Sequence, residues 1–156
     1  MKRIILYLLI SLCITSSYPS KDIRAEKNIN ALLTNLFSDL DESEFVEYEQ
    51  WTDVGNDGVP DWILKRFKNH MTDSCFTAFM QTAEYGLIMK AYSESKTLQL
   101  DEINVFDMGD YYEFNGSLNI GDTELEIKGS VQTDKQGIVD WFTIYNIDDI
   151  VSVINK

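Results

Sequence analysis

The chain of 156 residues is poor in histidine, cysteine and positive charge, and it has no apolar run long enough to cross a membrane as a helix. Each scarcity excludes something. His70 is the only histidine, so imidazole-based general acid–base chemistry has one candidate, and no spacing in the sequence brings a partner to it. There are two cysteines, Cys13 and Cys75. If the first is lost with a leader, no disulfide forms within the remaining chain. Phe76, Ala78 and Phe79 surround Cys75 in sequence and favour its burial as a small hydrophobe, and a thiolate nucleophile would need a base nearby. Lysine and arginine total 13 against 26 acidic residues, for a net charge of −13. Such a surface repels phosphate backbones, which excludes nucleic acid as a partner, and steers basic molecules inward.

The N-terminus has the parts of a secretory signal: basic Lys2 and Arg3, an apolar stretch from Ile4 to Ile14, then small polar Thr15, Ser16 and Ser17. The stretch of about eleven residues is short of the roughly twenty that span a bilayer. Residues 1–17 therefore read as a cleaved signal peptide, 18–27 as a flexible mature N-terminus and 28–156 as one domain. The expected location is periplasmic or secreted, with no stable membrane insertion after cleavage. A lipid anchor at Cys13 is disfavoured because Leu12 occupies a position that wants a small residue. Losing Lys2 and Arg3 makes the mature chain more acidic still.

Ile29, Leu32, Leu33, Leu36, Phe37 and Leu40 recur at helical spacing, which predicts a helix from about Asn28 to Leu40. Asp41 to Gln50 supports only a short helical turn or loop. Pro60 is suited to start a second helix ending near Asn69, and Thr72 or Asp73 to cap a third that carries Phe76, Phe79, Met80 and Ala83. Glu84 to Lys96 fits either period. From Thr97 the period becomes two. Leu98 and Leu100 alternate out of step with Ile103 and Val105, so a bulge falls near Asp101 and Glu102. Tyr112, Phe114, Gly116, Leu118 and Ile120 mark a second strand. Gly121-Asp122 turns into a third through Leu125, Ile127, Gly129 and Val131. Ile138 to Ile147 is apolar on both faces, with Val139, Trp141 and Tyr145 on one, and is expected inside the sheet or under a helix. Asp148 is placed to cap a terminal helix. Helices followed by a meander predict an α+β fold, with N-terminal helices packed on a curved antiparallel sheet of about four strands.

That order resembles the nuclear transport factor 2-like, or cystatin-like, cone superfamily, whose fold is found in many small exported bacterial proteins. The likeness is carried by the helix from Asn28 to Leu40 and by KNHMTDSCFTAF from Lys68 to Phe79. It continues through GDYYEFNGSLNI from Gly109 to Ile120 and KGSVQTDKQGIVDWFTIYNIDDI from Lys128 to Ile150. The resemblance implies a concave sheet closed by helices around a pocket, which in the family's enzymes holds an Asp with a His or Tyr. Tyr112, Phe114, Trp141 and Tyr145 are the candidates to line such a pocket here, against the alternative that they are core. His70 falls near a helix end and not at an inward strand position. No catalytic residue is assigned, because this fold hosts isomerases, dehydratases, ligand binders and structural modules alike.

One loop has the chemistry of a cation site: Asp53, Asn56, Asp57 and Asp61 flank glycines in DVGNDGVPDW. Carboxylates at the first, fifth and ninth positions with glycine at the sixth resemble calcium loops. Gly55 stands where such loops place Asp or Asn, and Leu64 where an EF-hand has its bidentate Glu, so a solvated turn competes with a calcium site. No other cofactor is suggested.

The functional expectation is an exported, non-enzymatic binding or protein-interaction domain. The alternatives are an immunity or inhibitor-type protein that neutralises a basic secreted enzyme or toxin by charge complementarity, and a small-pocket enzyme of isomerase or dehydratase type. An acidic patch over Asp39 to Glu49 would favour the inhibitor.

Overall fold

The structure, a computed structural model, describes residues 21–54 and 58–156. Six helices and a four-stranded antiparallel sheet follow one another in an α+β arrangement: α1 (Lys21–Leu36), α2 (Glu42–Val54), α3 (Asp61–Phe67), a 3-10 turn at Lys68–His70, α4 (Asp73–Phe79), α5 (Ala83–Ser93), β1 (Leu98–Asp107), β2 (Tyr112–Ile120), β3 (Thr123–Thr133), β4 (Val139–Ile144) and α6 (Ile147–Ile154). The curved sheet is a simple meander in the order β1-β2-β3-β4.

The helix α1 begins seven residues before the expected Asn28, within the stretch read as a flexible N-terminus. Ala25 explains this, because it extends the stripe of Ile29, Leu32, Leu33 and Leu36 by one turn and is fully buried with them. Its small side chain is easily overlooked in a polar stretch. Phe37 and Leu40 remain buried beyond the helix end. The α2 segment, expected as a short helical turn or loop, is a full helix of 13 residues whose start is fixed by a reciprocal cap. Asp41 Oδ1 accepts from the Glu44 N–H at 2.8 Å, and Glu44 Oε2 accepts from the Asp41 N–H at 3.1 Å. A bond from the Ser43 hydroxyl first, and the bond from the Glu44 N–H second, hold the Asp41 carboxyl below the usual range.

Arg66 of α3 fastens this end of the helical layer. Its guanidinium pairs with Glu44 at 2.6 Å, donates to Ser38 Oγ at 2.7 Å and reaches the Asp39 carbonyl at 3.1 Å. The Asn35 side chain donates to the Arg66 carbonyl at 2.6 Å. Thr72 caps α4 by accepting from the Cys75 N–H. Phe79 of α4 touches Phe67, Tyr85 and Phe142 with ring centroids 4.9, 5.7 and 5.7 Å away, so one ring joins α3, α5 and β4.

In β1 the pairing shifts between Leu100 and Glu102, where the alternation changes phase. In β2 Tyr112, Phe114, Gly116, Leu118 and Ile120 all face the helices and are buried. Phe114 lies across from Gly129 and covers it: a Cβ on Gly129 would run into the Phe114 ring and the Thr143 carbonyl. β4 is an edge strand, lying under α4 and not inside the sheet, and it carries a second register shift opposite Gln132 and Thr133. That bulge at Asp140 is why the strand reads as apolar on both faces. Val139, Phe142 and Ile144 turn inward while Trp141, opposite the exposed Gln132, turns out. Asn146, not Asp148, stands at the N-cap of α6, and its side chain bonds the Lys128 N–H and the Glu126 carbonyl instead of the helix.

Candidate functional site

The four residues proposed to line one pocket do not converge. Tyr112 and Phe114 belong to the buried helix-facing side, and the Tyr112 hydroxyl reaches the Asp22 carboxylate at 3.5 Å. Trp141 and Tyr145 are 48% and 57% exposed on the opposite face of the sheet. Of the loop read as a calcium candidate, Asn56 and Asp57 lie outside the described residues. Asp53 is in the last turn of α2, and Asp61 opens α3 with its N–H donating to Glu47 at 3.1 Å. Among the described residues no three His, Cys, Asp or Glu side chains form a group that could hold a metal ion.

His70 and Cys75 carry no signs of activation. His70 Nδ1 faces the amide oxygen of Asn28 at 3.2 Å, and Asn28, itself buried, donates to the Gly137 carbonyl at 2.8 Å. Burial first, and Lys27 second, pull the imidazole below its ordinary value. The Cys75 thiol is buried, and burial together with the Asp140 carboxylate pushes it up to about 11. A thiol so shifted is protonated at neutral pH and makes a poor nucleophile.

A recess of about 390 Å³ opens between the end of α1, the end of α5 and the start of β1. Its one carboxylate, Asp39, is occupied in accepting the Leu98 N–H at 2.8 Å. The acidic stretch from Asp39 to Glu49 is likewise partly used inside the fold, through the Asp41 cap, the Glu44–Arg66 pair and the Glu47 contact with Asp61.

The outward face of the sheet is different. Apart from Ser130, its side chains are exposed or half-buried, with none of the described helices laid over them. The register sets them in rows across the strands. Gln132 and Trp141 stand at one end; Phe106, Glu113, Ser130 and Thr143 form the next row; Asn104, Asn115 and Lys128 follow, with Tyr145 bonded through its N–H to the Lys128 carbonyl. Beyond them come Glu102, Ser117 and Glu126, then Asn119 and Glu124. Trp141 and Phe106 thus stand toward one end, with Glu113 beside Phe106; Lys128 is in the middle, and Glu102, Glu124 and Glu126 gather at the other end. At the acidic end Glu102, Glu124 and Glu126 surround a depression of about 240 Å³ floored by Asn104, Asn115 and Ser117. Among the described residues the hydrogen bonds to acids at this end come from neutral groups: Ser117 Oγ donates to Glu124 at 2.6 Å, and the nearby Asp101 accepts from Asn119 at 2.6 Å and Gln99 at 2.8 Å. The ion pairs among the described residues, Arg66–Glu44 and Lys68–Asp73, are on the helices. Alternation exposes these side chains in the sequence, but only the pairing of three strands shows that they adjoin.

No protein-family model, curated protein or solved structure matches the chain. Among the described residues no helix is long and apolar enough to cross a membrane.

Proposed function

We propose that the protein is a non-catalytic interaction domain, exported as its N-terminus suggests, whose uncovered sheet face binds a basic protein. The observation that carries this reading is the depression formed by Glu102, Glu124 and Glu126, which has three carboxylates, no basic lining residue and room for a cationic head group. Exposed Trp141 and Tyr145 on the same face supply apolar contact and ring faces for further cations. A second copy of this chain is a poor occupant, since like-charged faces would oppose one another. The unactivated states of His70 and Cys75 favour binding over catalysis. By its order of elements the chain takes its place with the binders of the cone superfamily in this reading. A secreted enzyme or toxin as partner would make the protein a neutralising inhibitor.

The test is capture of proteins from culture medium and envelope extract on immobilised protein starting at residue 18, with a Glu102→Lys/Glu126→Lys variant in parallel. Basic proteins held by the wild type should be retained roughly tenfold less by the variant and should elute with salt. Equal retention by both proteins, or selective retention of acidic proteins, would overturn the proposal.

A further inference from the structure

The recess of about 390 Å³ at the start of β1 takes no part in the outward face of the sheet, and its lining carries one charge of each sign. Lys96 is its basic residue and Asp39 its acidic one. In a chain with 26 acidic residues against 13 basic ones a lysine has many carboxylates to choose from. Yet among the described residues Lys96 forms no ion pair, with Asp39 or with any other acid. Asp39 gives Oδ1 to the Leu98 N–H at 2.8 Å, and no hydrogen bond among the described residues reaches its Oδ2.

Both groups are held in place from behind. The Arg66 guanidinium donates to the Asp39 carbonyl at 3.1 Å and Ser38 bridges Gln99, which fastens this segment to α3 and β1. Lys96 follows the end of α5, where its own N–H bonds the Ala91 carbonyl at 2.8 Å and the Ser95 N–H bonds that of Tyr92 at 2.9 Å. Its stem rests on the Gly121 turn, where a Cβ would sit 3.8 Å from Lys96 Cδ. Ser95 occupies the left-handed position of this cap with a φ of 54°, a place where glycine is the unstrained residue. A serine kept there presents its side chain to the recess. Leu40, Ile88, Ala91 and Leu98 make the rest of the lining largely apolar.

We infer that this recess binds a free α-amino acid with an apolar side chain. The Lys96 ammonium and the Ser95 hydroxyl donate to the ligand's carboxylate, Asp39 Oδ2 accepts from its ammonium, and its side chain lies over Ile88 and Leu98. A ligand with a single charge gains one of these contacts and meets a like charge at the other, so the recess selects the zwitterion. The fixed backbone around both charges leaves little to reorganise on binding. The site is separate from the uncovered sheet face and does not depend on a basic partner being held there.

L-Leucine is the probe, with N-acetyl-L-leucine and L-leucinamide as analogues that each lack one charge, titrated into isotopically labelled protein and followed by amide NMR. Leucine should shift the amides of Lys96 and Leu98 and bind roughly tenfold more tightly than either analogue. Lys96→Met keeps a stem against Gly121, and Asp39→Asn keeps an oxygen for the Leu98 N–H. Each should weaken leucine roughly tenfold with little change in melting temperature. Ser95→Gly relieves the backbone, so it should raise the melting temperature and still weaken leucine, a combination that a purely structural serine would not give. Leucinamide binding as well as leucine would make the recess a plain cation site and overturn the inference; N-acetyl-leucine binding as well would overturn it from the opposite side. No shift of Lys96 and Leu98 at tens of millimolar leucine would overturn it outright and leave the face-binding proposal standing.

Discussion

Gly129 shows how a single side chain, or its absence, fixes local geometry. The Phe114 ring lies over it and the Thr143 carbonyl approaches from the next strand, so no Cβ fits without separating β3 from β4. Gly129→Ala should cost about 2 kcal/mol, as overpacking at a closed site does, and should lower the urea midpoint without changing its slope. Alanine at Gly86, where a Cβ would meet nothing, is the matched control. The sequence displays Gly129 as one inward position of an alternating strand. What it cannot display is that Phe114 is its cross-strand neighbour, because that depends on the register set by the turn at Gly121-Asp122. Trp141 is opaque for a related reason. One bulged residue, Asp140, reverses the face of everything after it, and nothing in VDWFTI announces the insertion.

Among elements, α1 and β2 were legible because each has one strong period and one buried face. α2 was not, since its apolar residues Phe45, Tyr48 and Trp51 are few and only half-buried. Its real signal is local: Asp41 followed three residues later by Glu44, the pattern of a reciprocal cap. Glu44 also engages Arg66, which ties α2, α3 and the end of α1 together. Replacing Arg66 by methionine keeps most of its packing over Trp62 but leaves the partly buried Glu44 without its cation. The expected loss is about 2 kcal/mol, read by urea unfolding. Amide exchange should increase first at the start of α2 and the end of α1. A uniform increase across the sheet would contradict a clamp confined to the helices. The candidate site was legible only as a list of outward polar residues along three strands, and its shape came from their pairing.

For the molecule as a whole, the half-buried His70 and the buried Cys75 bound the pH range of greatest stability. His70 is depressed below its ordinary 6.5, so its contribution is present above that pH and is lost as pH falls through the folded value. Cys75 is raised from 9.0 to about 11, so its contribution is complete below pH 9 and is lost between pH 9 and 11. Thermal unfolding should therefore show a maximum between roughly pH 6.5 and pH 9. Cys75→Ala should flatten the alkaline limb and His70→Gln part of the acid limb; an unchanged alkaline limb in Cys75→Ala would sink that assignment. The two edges of the sheet bear on a different property, polymerisation. A sheet open at both ends can pass a growing stack of strands from molecule to molecule, whereas here β1 is closed by charge and β4 is bridged at Val139 and buried at Ile144. Neither edge is free to extend a stack, so misassembly should not proceed to fibres.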